Sequence, residues 1–318
     1  MRSLLSVLSV IALSLLAPAH AVLAQAFPGK LVRLIIPFPT GSSTDAQARI
    51  LGPLLSERWK QQVIVDSRPG ATTIIGTELV AKSPPDGHTL LFTSIQFAYV
   101  PALFAKLPYD PRTDLVPVTI VTFSPEAIVA HPSLPASTPK QLVALARARP
   151  GQLTIGTPGN TLPTLSFLSI AKVKMEPVPY KGAGPLNIAV MGGHVTLGIG
   201  AISSWLGTIQ SGRVKAIGVC SLTRSPLYPD APPMAEAAPG FEAVAWFGMF
   251  VPRGTPPAVI KRIRDDIADV LKNPDVRKQM NDIGGDPVGM PTEEFAKMVR
   301  SEIEKWGKVA KAVGIKPQ

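Results

Sequence analysis

Short apolar runs alternate with amphipathic stretches from residue 31 onward, and this alternation limits the possible folds more than any other feature of the chain. Leu31 to Ile36 reads as a strand, Pro37-Phe38-Pro39-Thr40-Gly41-Ser42-Ser43 as a loop, and Thr44 to Lys60 as an amphipathic helix. The strand Val63-Ile64-Val65 follows, then the turn Ser67-Arg68-Pro69-Gly70 and a helix over Ile75 to Lys82. After the turn Pro84-Pro85-Asp86-Gly87 comes a third strand, Thr89 to Phe92. Strands that alternate with helices predict a parallel sheet covered by helices, an α/β fold.

The pattern starts again near residue 128. Ser137 to Arg149 reads as a helix capped by Ser137 or Thr138, with Pro139 in its first turn. Strands are expected at Leu153 to Gly156, Pro177 to Pro179, Val195 to Ile199 and Lys215 to Val219. Helices are expected at Leu162 to Ala171, Pro185 to Met191 and after Ser203. Trp246 to Pro252 resembles another strand, and helices over Pro257 to Leu271, Asp275 to Ile283 and Thr292 to Val313 finish the chain. Two extended segments, Val116 to Ser124 and Glu242 to Val251, flank the middle unit as natural crossings between lobes. The expected division is lobe I from 25–123 plus 246–318 and lobe II from 124–245, with a hinged cleft between them.

Residues 1–24 read as an export signal: Arg2, an apolar run from Leu4 to Leu16, then small residues with Ala-x-Ala-like sites. The run is shorter than the roughly 20 residues that span a bilayer. Cleavage is expected after Ala21, Ala24 or Ala26, and with no Cys nearby for a lipid anchor the mature chain is expected to be free in the periplasm. The single Cys220 excludes an internal disulfide, and its apolar run suggests a buried thiol. The net charge of +10 comes from basic residues spread singly along the chain, without a basic run or an interleaved aromatic patch. No nucleic-acid partner is therefore expected. The excess either favours anionic solutes or serves solubility alone.

Two loops stand out chemically. Pro39-Thr40-Gly41-Ser42-Ser43 lies between a strand and a helix, where unpaired amides, the helix dipole and hydroxyls suit an anion. Ordinary helix capping explains the same residues, with Asp45 as a first-turn acid. Thr157-Pro158-Gly159-Asn160-Thr161 holds the equivalent position in the second unit. Ligands in open α/β sheets sit outside the carboxyl ends of strands, so Thr93, Ser94, Tyr180 and Lys181 are secondary candidates, Lys181 being the one cation among these loops. Motifs for a hydrolase, a nucleotide or a dinucleotide are missing, and the four histidines lack metal-ligand spacing. Neither catalysis, nor a cofactor, nor a metal is expected.

In order along the chain, Val32-Arg33-Leu34-Ile35-Ile36-Pro37-Phe38-Pro39, Arg68-Pro69-Gly70, Ile75-Gly76-Thr77-Glu78, Pro85-Asp86-Gly87-His88-Thr89-Leu90, Leu107-Pro108-Tyr109-Asp110-Pro111, Pro158-Gly159-Asn160, Val178-Pro179-Tyr180-Lys181-Gly182, Trp246-Phe247-Gly248 and Lys305-Trp306-Gly307-Lys308-Val309 resemble the substrate-binding proteins of tripartite tricarboxylate transporters, the Bug family. The resemblance implies a type II periplasmic-binding-protein fold, two lobes with parallel-type sheets around a hinged cleft. It also implies a small carboxylate ligand, delivery to a two-subunit membrane permease, and a ligand carboxylate clamped between Thr40, Gly41, Ser42 and Ser43 on one side and Thr157, Gly159, Asn160 and Thr161 on the other.

The chain departs from the family pattern at three places. The usual Pro-Pro-Gly-Gly becomes Pro39-Thr40-Gly41-Ser42, a run of glycines and an asparagine becomes Ala71-Thr72-Thr73-Ile74, and Gly200-Ala201-Ile202 stands where many relatives carry an Asp that can meet an amine. From the last departure, a carboxylate without an amino group is expected, with an apolar or aromatic body. Ile202, Trp205 and Phe97 are candidates for an apolar wall or for core. A monomer is expected. The alternatives are a sensor subunit that presents the loaded protein to a receptor, and a hydrolase or isomerase on the same scaffold.

Overall fold

The computed structural model describes residues 27–159, 162–226 and 228–317, so the expected export signal lies outside the described residues. The first sheet is built on β1 (Val32–Ile36), which pairs in parallel with β2 (Val63–Ser67) on one side and β3 (Thr89–Ser94) on the other. Beyond β3 lies β9 (Val244–Pro252), antiparallel, and beyond β9 lies the first half of β4 (Leu115–Ala130), which a short β10 (Asp286–Pro287) also joins. The second sheet repeats that order. β5 (Thr154–Pro158) pairs in parallel with β6 (Glu176–Tyr180) and β7 (Leu197–Ala201), and β7 then pairs antiparallel with the second half of β4. β8 (Lys215–Val219) closes the far side of β4.

Each sheet is thus mixed, with the strand arriving from the other unit inserted antiparallel among parallel ones. Sequence periodicity predicts the parallel part only, because a crossing strand has the same apolar pattern whichever way it runs. The fold is α/β throughout, with helices covering both sheets.

Helices cover both sheets. On the first lie α1 (Ser43–Trp59), α2 (Ile74–Ala81), α3 (Gln96–Leu103), α8 (Pro257–Val270), α9 (Pro274–Asp282) and α10 (Thr292–Ala312). On the second lie α4 (Pro139–Ala148), α5 (Leu162–Ala171), α6 (Ala183–Met191) and α7 (Leu206–Gln210). Thr138 caps α4 by accepting from the Gln141 amide, with Pro139 in the first turn as its fixed φ suits. The sequence gives no sign of α3. Five of its eight residues are buried, Phe97, Ala98, Tyr99, Val100 and Ala102, so no polar face marks a helical period. No helix among the described residues is long and apolar enough to cross a membrane.

β4 serves three cores. Its first half contributes Val118, Ile120 and Val121 to the core of the first sheet. In its second half Ile128 and Ala130 face one core, and Ala127 and Val129 face the core on the opposite side, as the two-residue period of a strand requires. Ile202 and Trp205 belong to that last core and Phe97 to the first; all three are buried and none borders the cavity described below.

A polar clasp pins α1 to α8. The Asp266 carboxylate, 5 % exposed, accepts from Arg58 Nε at 2.5 Å, Trp59 Nε1 at 2.7 Å and Arg262 Nε at 2.5 Å. Burial opposes its ionisation, but the hydrogen bonds from Arg58, Arg262 and Trp59 outweigh that and hold it below the usual carboxylate range. Its contribution to stability is therefore full above the ordinary carboxylate value and lost on acidification. Asp266→Asn should cost about 2 kcal/mol or more near neutral pH and flatten the acid limb of stability. Denaturant unfolding across pH tests both effects.

Candidate ligand-binding cleft

A cavity of ≈ 720 Å³ lies between the two sheets, at the carboxyl ends of β1, β3, β5 and β6, where an open α/β sheet leaves its loops free. Pro39, Thr40, Gly41, Ser42 and Ser43 border it from the first unit. Their turn is set by Gly41, whose φ of +82° is left-handed and disfavours a side chain. Ser42 caps α1 by accepting from the Asp45 amide at 3.2 Å, and Asp45 Oδ2 in return accepts from the Gly41 amide at 2.9 Å. Arg49 donates to the same carboxylate at 2.9 Å. Capping thus takes the Gly41 N–H, which sequence reasoning had offered to an anion. The Ser43 and Thr44 amides at the start of α1 have no acceptor among the described residues, so the donors left on this side are those amides and the hydroxyls.

On the facing side, Thr157 and Gly159 border the cavity; Asn160 and Thr161 lie outside the described residues. Thr157 is 1 % exposed and its hydroxyl has no partner. A buried hydroxyl left unpaired is costly unless something fills the site. Gly159 has a φ of +115°. Two contacts join the sides: Gln96 Nε2 donates to the Pro158 carbonyl at 3.3 Å, and Ser203 Oγ to Ser43 Oγ at 3.1 Å.

Of the secondary candidates, Ser94, Tyr180, Lys181 and Ala201 border the cavity. Thr93 does not: it is fully buried in β3 opposite Gly248. Gly200 does not either, being held in β7 against Pro158 and Trp205. Lys181 is the one cation among the described lining residues and makes no ion pair there.

The structure adds lining residues that were not among the site candidates, the first of them in a segment noted only as a departure from the family pattern. Ala71, Thr72 and Thr73 border the cavity with φ of 44°, 52° and 79°, a left-handed run that costs β-branched residues of order 1–3 kcal/mol each. Tyr99, from the unexpected α3, brings a buried hydroxyl without a partner.

Glu126 is the main addition. It is 8 % exposed, borders the cavity and has no hydrogen-bond partner for its carboxyl among the described residues. In the β4–β7 ladder it stands directly opposite Ala201. An acid therefore does stand beside Gly200 and Ala201, contributed by the neighbouring strand, and the sequence argument from β7 alone did not find it. The available signal was a lone charge in the sixteen-residue apolar strand Leu115–Ala130. Burial pushes its carboxyl up to about 8. Cys220, whose amide donates to the Glu126 carbonyl, is fully buried, and burial together with Glu126 pushes its thiol up, as an inert thiol requires.

Two topologically matched sheets around a cleft whose walls are loops suit the binding of a small solute. Residues 47–315 match the Tripartite tricarboxylate transporter family receptor, and the chain belongs to that family, whose members are periplasmic solute-binding receptors. It is 34 % identical to BugT of Bordetella pertussis over 94 % of each chain. It superposes with a TM-score of 0.86 on Rpa4515 of R. palustris with adipate, at 31 % identity over 92 % of this chain and all of that one. MatC of Rhodopseudomonas palustris with bound malate gives 0.81, at 29 % identity over 89 % of this chain and all of that one.

Glu126 makes stability depend on pH. The fold keeps its proton up to about pH 8, whereas an unfolded chain releases it near the ordinary value of 4.5. Its contribution is full below the lower value and is lost as pH rises toward the upper one. Glu126→Gln should remove a decline of on the order of a few kcal/mol between about pH 5 and pH 8. Parallel stability curves for the two proteins would mean that the carboxyl ionises freely in the fold.

Proposed function

We propose that this chain is an exported, monomeric periplasmic receptor whose cleft captures a small carboxylate and delivers it to a two-subunit membrane permease. One observation carries the reading: two strand-to-helix turns, one from each sheet, border a single cavity whose unpartnered groups are mostly donors. Thr157 and Tyr99 offer hydroxyls there, and the start of α1 offers amides. The adipate and malate bound by Rpa4515 and MatC support the ligand class. The family description supports the permease, and the residue 1–24 signal supports export. Because the relatives are receptors, the cleft is read as a binding site and not a catalytic one.

Binding is coupled to closure in this reading. Among the described residues only β4 and β9 run between the two sheets, so lobe I, 25–123 plus 246–318, can rotate against lobe II, 124–245, with little disturbance of either core. A ligand that touches both walls then favours the closed population. Small-angle scattering should register a smaller radius of gyration with saturating ligand.

A thermal-shift screen of mono- and dicarboxylates tests the reading directly, since a ligand at about 100 times its Kd adds about 2.7 kcal/mol. Gly41→Val, which forces a β-branched residue to a φ of +82°, should weaken the best ligand by about 2 kcal/mol, roughly 30-fold. If no carboxylate stabilised the protein, the ligand class would be wrong; unchanged affinity in the variant would take the first turn out of the site.

A further inference from the structure

We propose that the Glu126 carboxyl is a specificity-determining ligand contact, donating its proton to an oxygen acceptor on a second polar group of the ligand, apart from the carboxylate held at the loops. The inference rests on the carboxylate reading of the cleft and extends it. Glu126 sits where β4 passes from one sheet to the other, one residue beyond the Pro125–Val244 pair that ends the β4–β9 ladder, and it borders the cavity. It is more than nine-tenths buried, yet nothing among the described residues donates to it. A carboxyl desolvated without a cation or a donor is kept neutral, and a neutral carboxyl has an O–H to give.

The groups around it favour an acceptor over a cation. From α3, the Tyr99 hydroxyl borders the same cavity, buried and unpartnered. From the end of β8 comes the Cys220 thiol, and from β7 and β9 only Ala201 and Ala245. Across the cavity stand Tyr180 and Lys181, and Glu302 of α10 acts on Tyr99. Among the described lining residues, the groups left without a partner besides Glu126 are hydroxyls, the Ser43 and Thr44 amides and the Lys181 ammonium, each able to donate, so a ligand oxygen finds several donors while a ligand ammonium would have one carboxyl to ionise and Lys181 to repel it. Burial is the cause that raises the Glu126 carboxyl to about 8, and burial also carries the Tyr99 hydroxyl and the Cys220 thiol well above their ordinary values. Of these three groups, Glu126 alone titrates just above neutrality. Binding that needs its proton is therefore full below about pH 8 and falls as pH rises further.

Calorimetry with succinate, glutarate and adipate, each beside the monocarboxylate and the ω-amino carboxylate of equal chain length, tests this at about pH 6.5 and about pH 9. The wild-type protein should prefer a dicarboxylate over its monocarboxylate counterpart, and that preference should fall about tenfold at the higher pH. Glu126→Gln keeps a donor in the same shape, so it should keep most of the preference and lose its pH dependence; Glu126→Ala should lose the preference itself. Two results would overturn the proposal and leave the carboxylate reading intact. One is an unchanged preference in Glu126→Ala. The other is tighter binding of an ω-amino carboxylate that Glu126→Gln abolishes, which would make Glu126 a counter-charge. If none of the probes bound the wild-type protein, the carboxylate reading and this proposal would fall together.

Discussion

The antiparallel pairing of β4 with β9 is the contact on which the rest of the molecule depends. It runs from Leu115–Pro252 to Pro125–Val244, slips register twice, and brings each strand into the sheet of the other unit. Each slip adds an unpaired residue that bends and twists the strand, so one continuous ribbon can serve two sheets. The cleft is the space this ribbon leaves between them. Its floor lies where the β4–β9 ladder ends and the β4–β7 ladder begins, and a polar side chain there can face the cavity without entering a core. Glu126 and Ala245 occupy that floor.

Most of the fold was legible because its signals are periodic and local. Thr138 before Pro139, the amphipathic run of α10 and the apolar alternation of β1 to β3 each fix an element without tertiary information. The two crossings, expected at Val116 to Ser124 and Glu242 to Val251, are found in β4 and β9, since an extended apolar segment flanking a repeated unit has few other uses. What could not be read was either aperiodic or non-local. α3 is buried on nearly every side, and the direction of β4 and β9 depends on partners far away in sequence.

The site was legible by rule and illegible by residue. Loops at strand carboxyl ends could be expected to border a cavity, and Ser43, Ser94, Thr157 and Tyr180 do. Which groups remain available depends on local bonding that no spacing discloses: Asp45 takes the Gly41 amide, while Thr157 and Tyr99 keep free hydroxyls. Thr93 follows the same positional rule and fails it, because Ser94 and not Thr93 is the last residue of β3. Glu126 escaped because an acid in an apolar strand reads as an interruption of the core, and only the pairing of β4 with β7 puts it beside Ala201.

Charge explains less of this cleft than the net excess of +10 suggests. One cation and one acid stand among the described lining residues, and the cation, Lys181, lies exposed in the loop after β6. On the proposed reading, an anion held here would be met chiefly by neutral dipoles: hydroxyls, the amides of the first turn of α1, and the Glu126 carboxyl, whose proton burial favours. Neutral donors cost less to desolvate than a buried guanidinium or ammonium, so they can exchange ligand for water without stranding a charge. A receptor that must release its cargo is served by such a site. In the proposed closure, dipoles fixed by capping and packing would select the ligand through geometry, and its affinity would be lost by parting the two walls that carry them.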